Sequence, residues 1–355
     1  MRTGLARQGF GFILLISGLG CNDVSWPSER NVTSLRILGV RADPASLEPG
    51  TSTHLALLCA DGIGGPASDP TCNIEVAWFA NCSNPENNDP LKCLDVFDAA
   101  STQLASPLAD TPASTQFAVA PEFEFTSPAN VLQAAVSVSG QPVRYGVSYV
   151  YFAACAGRLY PVNGTSDRLP VECRDRTTGA LLDQRRFVAG YTTIYSYDAV
   201  ANKNPTLSNI RLDGEPVDAH ACAADAECGL GYGCSSAETC APIEPHCDRN
   251  VPTTCHAHCI DFQLPPSSFA LSTKDGTLIP SPLKSLWAEY YTNAGFVPDD
   301  ARFGLAPPVD ATAAVTSPCA LWQAPPMPNP EARVWVVVRD NRGGQSWIEQ
   351  RVLVR

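Results

Sequence analysis

Short apolar runs, each closed by Pro, Gly, Asn or Asp, set the pattern of this chain. Leu35 to Arg41, Thr53 to Cys59 and Ile74 to Phe79 are three such runs, separated by Asp43-Pro44, Glu48-Pro49-Gly50 and a Gly/Pro loop. Runs of this length between turn residues predict strands, with Trp78 as a bulky core candidate in the third. Val131 to Val138, Tyr145 to Ala154 and Tyr191 to Tyr197 add further predicted strands. Asn202-Lys203-Asn204-Pro205 reads as a boundary, after which Thr206 to Leu212 ends in the turn Asp213-Gly214. Leu286 to Tyr291 and Arg333 to Val338 are strand-like as well. Ser346 to Val354 then returns behind Arg339-Asp340-Asn341-Arg342-Gly343-Gly344, which predicts a terminal hairpin. Helical periodicity is scarce, and a short helix is expected only around Ala129 to Ala135.

Composition sharpens this picture. Hydrophobic residues are 45% of the 355, enough for a packed core, while charged residues are 17%, below the usual quarter. With 31 prolines, that profile suits strands joined by rigid turns rather than long surface helices. The formal net charge of −12 repels phosphate backbones, so nucleic acid is not an expected partner.

The N-terminus carries targeting information. Arg2 and Arg7 precede an apolar run, Phe10 to Leu19, that is too short to span a bilayer but fits the core of a secretory signal. The run ends Ser17-Gly18-Leu19-Gly20-Cys21, which resembles a bacterial lipoprotein signal. That resemblance implies acylation of Cys21 as the first mature residue. The sequence departs from the usual pattern in having Gly18 three residues before the cysteine, and Gly18 with Gly20 also suits ordinary signal peptidase. Cysteine parity favours lipid: fifteen cysteines less Cys21 leave an even fourteen for disulfides in an oxidising compartment. Asn22, rather than Asp, follows the cysteine, which by analogy favours export to the outer membrane, with the membrane face left open.

The remaining cysteines fall into two even sets. Cys59, Cys72, Cys82, Cys93, Cys155 and Cys173 form the first; Cys222, Cys228, Cys234, Cys240, Cys247, Cys255, Cys259 and Cys319 form the second. Spacing alone leaves connectivity open, with a preference for neighbours such as Cys82 with Cys93 across a turn-rich loop. Cys222, Cys228, Cys234 and Cys240 have five residues between successive members and resemble small cysteine-rich modules of myxobacterial-type envelope lipoproteins. The final hairpin resembles that of bacterial Ig-like and PKD-type surface domains, where an aspartate and glycines lie between the last two strands.

Candidate chemistry is sparse. His220, His246, His256 and His258 lie in or beside the cysteine-rich segment, and His256 and His258 are the metal candidates because residues i and i+2 on an extended chain share a face. No C-x-x-C occurs, and oxidised thiols cannot bind zinc, so a disulfide-tied surface loop is the expected reading and no cofactor is assigned. No G-x-S-x-G, H-E-x-x-H or Walker-type loop is present. His54 reads as a core or edge histidine, and Asp299-Asp300 as solvated turn residues. Tyr149 with Tyr151, Tyr195 with Tyr197, and Trp287 with Tyr290 and Tyr291 are candidate aromatic faces, more simply read as core. The sequons at Asn31, Asn81 and Asn163 are read as chance.

The expected fold class is therefore all-β: two Ig-like β-sandwich domains, 33–200 and 201–355, the second carrying an irregular disulfide-rich insertion over 218–262. They follow a signal peptide (1–20) and a flexible tether (21–32). The expected role is that of a non-enzymatic lipoprotein of the cell envelope, anchored to the outer membrane by lipid. It would act in structure, recognition or adhesion toward an envelope protein or glycan. The alternative is ligand capture, of metal through the His/Cys-rich insertion or of glycan through the aromatic faces.

Overall fold

The computed structural model describes residues 29–63, 72–133, 144–163, 168–217, 220–229, 231–248, 255–280, 284–298, 301–308 and 312–355. The signal segment, Cys21, most of the tether and Asp299-Asp300 lie outside the described residues. The described chain is built mostly of strands, in agreement with an all-β fold.

The first half contributes β1 (Leu35–Asp43), β2 (Ser46–Leu47), β3 (Ser52–Asp61), β4 (Glu75–Ser83), α1 (Leu94–Ser101), β5 (Phe117–Val119), β6 (Glu122–Thr126) and β7 (Tyr145–Cys155). It continues with β8 (Arg158–Pro161), β9 (Val171–Arg174) and β10 (Phe187–Tyr197). Two sheets, ordered β1-β3-β6 and β2-β10-β7-β4-β5, enclose Val40, Leu55, Trp78, Phe123, Phe125, Phe152 and Ile194. The reverse face of the larger sheet is covered too. Phe79, Tyr149, Tyr151 and Ala153 pack there against Leu94 and Phe97 of α1 and against Leu159 and Val171 of the β8–β9 hairpin. Burial on both faces explains why β7 reads as a continuous apolar run rather than an alternating one. Cys82–Cys93 and Cys155–Cys173 tie this covering layer to β4 and β7.

The second half contributes β11 (Val200–Ala201), β12 (Ser208–Leu212), β13 (Glu215–Pro216), β14 (Tyr232–Cys234), β15 (Cys240–Glu244), β16 (Ala257–Leu264) and β17 (Ala270–Thr273). After these come β18 (Leu278–Pro280), β19 (Leu286–Thr292), β20 (Arg302–Leu305), β21 (Val315–Thr316), β22 (Ala320–Gln323), β23 (Asn329–Asp340) and β24 (Gln345–Val354). One sheet runs β13-β12-β16, with β21 and β22 both pairing β16; the other runs β14-β15-β24-β23-β19-β20. Phe262, Leu264, Tyr290, Trp322, Val334, Val336 and Val338 fill the space between them. The terminal hairpin forms as its turn residues predict.

A fourth apolar cluster joins the halves. Trp335 and Val337, on the reverse face of β23, pack with Val32, Leu38 and Ala60 of the first half. A bulge makes this possible: Ile37 pairs Cys59 and Gly39 pairs Leu58, leaving Leu38 as an extra residue. An inserted residue reverses the alternation, so Leu38 faces β23 while Ile37 and Val40 both face the first core.

Four expectations need correction. Where described, over 129–133, the predicted helix around Ala129 to Ala135 is a run of turns and the predicted strand Val131 to Val138 is not formed; residues 134–138 lie outside the described residues. The helix that does form, α1, follows a short 3-10 turn capped by the Asp89 carboxylate, which accepts from the Leu91 N–H, and its apolar positions are Leu94 and Phe97. The end of the tether is docked rather than loose: Val32 N–H donates to Thr292 O at 2.7 Å, and Arg30 is buried beside Glu289. Residues 257–262, counted with the insertion, belong to β16, the central strand of their sheet.

Buried tyrosines give the fold an alkaline limit. Burial, reinforced by Tyr197 and Tyr145, pushes the Tyr195 hydroxyl up to about 12, and burial raises those of Tyr149, Tyr197 and Tyr290. The folded state thus holds protons that the unfolded chain releases near pH 10, so this stability is intact below pH 10 and lost as pH rises toward 12. Absorbance titration at 295 nm should show tyrosinate appearing together with unfolding above about pH 10, not as a gradual folded-state titration.

Candidate functional site

The segment that reads as a boundary bonds both halves. Asn202 N–H donates to Ser46 Oγ at 2.7 Å, and its Nδ2 donates to Asp340 Oδ2 at 2.9 Å and to Arg342 O at 3.1 Å. Asn204 Nδ2 donates to Ala42 O at 2.7 Å, while its Oδ1 accepts from Gln345 N–H at 2.9 Å. Asp340 opens the β23–β24 turn, and its Oδ1 accepts from Arg342 N–H and Gly344 N–H, both at 2.8 Å. Lys284 Nζ reaches Asp340 Oδ2 at 3.2 Å, with both side chains fully buried, and also donates to Lys203 O and Ala270 O. Burial lowers the Lys284 pKa, against which Asp340 acts. Arg342 Nη1 donates to the Tyr197 hydroxyl at 3.3 Å, extending the network to β10. Beside it lies a cleft of about 410 Å³ whose lining includes Arg41, Asp43, Asn202, Lys203 and Trp347, with the Arg41 guanidinium 5.1 Å over the Trp347 ring.

The fourteen cysteines close seven disulfides, three within the first set and four within the second. Cys59 joins Cys72, and Cys82 joins Cys93. In the five-spaced run, nearest neighbours do not pair: Cys222 joins Cys234 and Cys228 joins Cys240. Cys234 and Cys240 face each other across the β14–β15 hairpin, yet each reaches back to the segment before it. Cys247–Cys255 and Cys259–Cys319 complete the set. The sulfurs of Cys222, Cys228 and Cys240 lie close together, but all are oxidised and offer no thiolate to a metal.

The module carrying this run docks onto the second core by strand addition. Ile243 and Glu244 of β15 pair in parallel with Leu353 and Val354 of β24, and Arg355 bonds Asp225 at 2.6 Å. Beneath the end of β15 lies His258, whose side chain is 9% exposed. Its Nδ1 is 2.8 Å from Asp213 Oδ2, its Nε2 is 3.5 Å from Glu244 Oε2, and its ring packs 5.8 Å from Trp322. Asp213 is fixed in turn, its Oδ1 accepting from Cys259 N–H at 2.7 Å. Burial raises the Glu244 pKa, opposed by His258 and His256 and reinforced by Asp213. His256 is exposed. His220 and His246 lie apart from this group, beside Cys240 and the Arg355 carbonyl.

The aromatic candidates are largely structural. Tyr149 and Tyr151 are buried and donate to Asn88 O and Pro90 O, and Tyr197 and Tyr290 are fully buried. Trp287 is half-buried under the Arg302 guanidinium. His54 is exposed on β3, neither core nor edge. His258 is legible in the sequence as a candidate, but its partners Asp213 and Glu244 are not, nor are Lys284 and Asn202 as partners of Asp340. These pairs are 45, 14, 56 and 138 positions apart, so no local spacing announces them.

No family model matches the chain, and no curated protein matches it. Among solved structures, the Yersinia pseudotuberculosis adhesin InvE aligns over 90% of this chain and 60% of its own, at 9% identity and TM-score 0.19. Escherichia coli alpha-2-macroglobulin activated by porcine elastase aligns over 93% and 22%, at 9% identity and TM-score 0.21. A structure described as BspA_C_mut aligns over 87% and 93%, at 7% identity and TM-score 0.19. Likeness at that level carries no argument.

Breaking the buried pair from one side should be costly. Lys284→Met strands Asp340, Asp340→Asn strands the ammonium, and each should lower stability by about 3–5 kcal/mol. The double variant should fall less than the sum, as measured by urea unfolding. Gly343→Ala should also destabilise, because Gly343 has φ +82° and an added Cβ would meet Thr193 O at 2.7 Å.

Proposed function

We propose that the protein is a non-enzymatic envelope lipoprotein, anchored through acyl chains on Cys21, that serves as a structural or recognition component. The observation that supports it best is how the described polar and sulfur chemistry is used. The fully buried Lys284–Asp340 pair and all seven disulfides hold elements together, which suits a durable scaffold facing an oxidising compartment. The signal-like segment ending at Cys21 supplies the expected attachment, and several acyl chains give stable anchoring where one does not. On this reading the outer membrane is the place of attachment, and an envelope protein or glycan is the partner.

Intact mass of the chain purified from its native envelope tests the anchor and the redox state together. The expected result is a chain beginning at a lipid-modified Cys21 with no free thiol, released into the soluble fraction by Cys21→Ser. An unmodified first residue, or several reduced thiols, would contradict the proposal.

A further inference from the structure

We infer that His258 and Glu244, with His256, form a binding site for a divalent transition metal, oriented by Asp213, at the seam between the cysteine-rich module and the second core. A ligating histidine usually gives its other ring N–H to a carboxylate, which fixes the ring and makes the free nitrogen a better donor. His258 meets that condition: Nδ1 lies 2.8 Å from Asp213 Oδ2, and Asp213 is itself held by the Cys259 N–H. Nε2 is thereby left to face Glu244 Oε2 at 3.5 Å.

That separation is long for a charge-assisted hydrogen bond, which closes to about 2.7–2.9 Å. It matches two ligands of one tetrahedral zinc, which at bond lengths near 2.0–2.1 Å stand about 3.4 Å apart. His256 lies two residues before His258, just ahead of β16, and its exposed ring would swing toward Glu244 to supply a third donor. The neighbouring sulfurs are excluded, since Cys255 and Cys259 are bonded to Cys247 and Cys319. Two imidazoles and a carboxylate suit zinc, copper or nickel rather than calcium or magnesium. Because Glu244 ends β15 and His258 lies in β16, a bound ion would also clamp the module to its core.

The test is titration of tag-free, fully oxidised protein with zinc chloride by calorimetry, with cobalt(II) absorption as a spectroscopic readout. One equivalent should bind in the micromolar range, and cobalt should give a tetrahedral visible band. His258→Gln and Glu244→Gln should each remove the site, and His256→Gln should weaken it. Asp213→Asn should weaken affinity by about 10–100-fold, while His220→Gln and His246→Gln leave it unchanged. Near-UV circular dichroism shows which variants fold, and Glu244→Gln carries the test if His258→Gln does not. Absence of saturable binding, which leaves His258 and Glu244 an ion pair only, would overturn the inference. So would zinc binding that survives both substitutions. Either failure leaves the proposed lipid anchor untouched, since the two rest on different residues.

Discussion

An ammonium and a carboxylate, both sealed from solvent, brace the inter-half segment and the terminal turn, which reach the first half through Ser46, Ala42 and Tyr197. Removing two charges from water is expensive, and the structure offsets that cost only by saturating both groups. Lys284 has Asp340 and two backbone carbonyls, while Asp340 has Lys284, Asn202 and two backbone amides of its own turn. The partners come from four separate stretches of chain, so the pair closes only when the terminal hairpin, the segment before β19 and the inter-half segment are all in place. A surface ion pair would tolerate errors in that assembly; a fully buried one does not.

Layering follows from the same economy of exposed surface. The largest sheet of the first half is covered on both faces, and β23 of the second half is likewise buried on both, against its own core on one side and against Leu38 and Ala60 on the other. The chain has apolar residues enough for this but few charges to cover open faces. Disulfides hold the parts with little core of their own, notably the β14–β15 module, whose segments are crossed by Cys222–Cys234 and Cys228–Cys240.

Strands were the legible part of the sequence. Short apolar runs between turn residues located β1, β3, β4, β7, β10, β12, β19, β23 and β24, because a sheet residue's burial depends mostly on its own strand. The helix was misplaced because α1 is held by a disulfide and a capped turn rather than by a long apolar stripe. Asn202-Lys203-Asn204-Pro205 has the composition of a linker, and only the fold reveals that the two asparagines are consumed in bonds to Asp340, Ala42 and Gln345. His258 was visible as a candidate, but Asp213 and Glu244 were not, since contacts made across sheets leave no trace in spacing. The alternate pairing of the five-spaced cysteines was open for the same reason.

The two halves are expected to unfold as one cooperative body. Differential scanning calorimetry of the oxidised chain measures it directly. A single transition whose calorimetric and van't Hoff enthalpies agree is expected, because the Trp335–Leu38 core and the Asn202–Ser46 and Asn204–Ala42 bonds cannot survive the loss of either half. Two resolved transitions, one for each half, would contradict it.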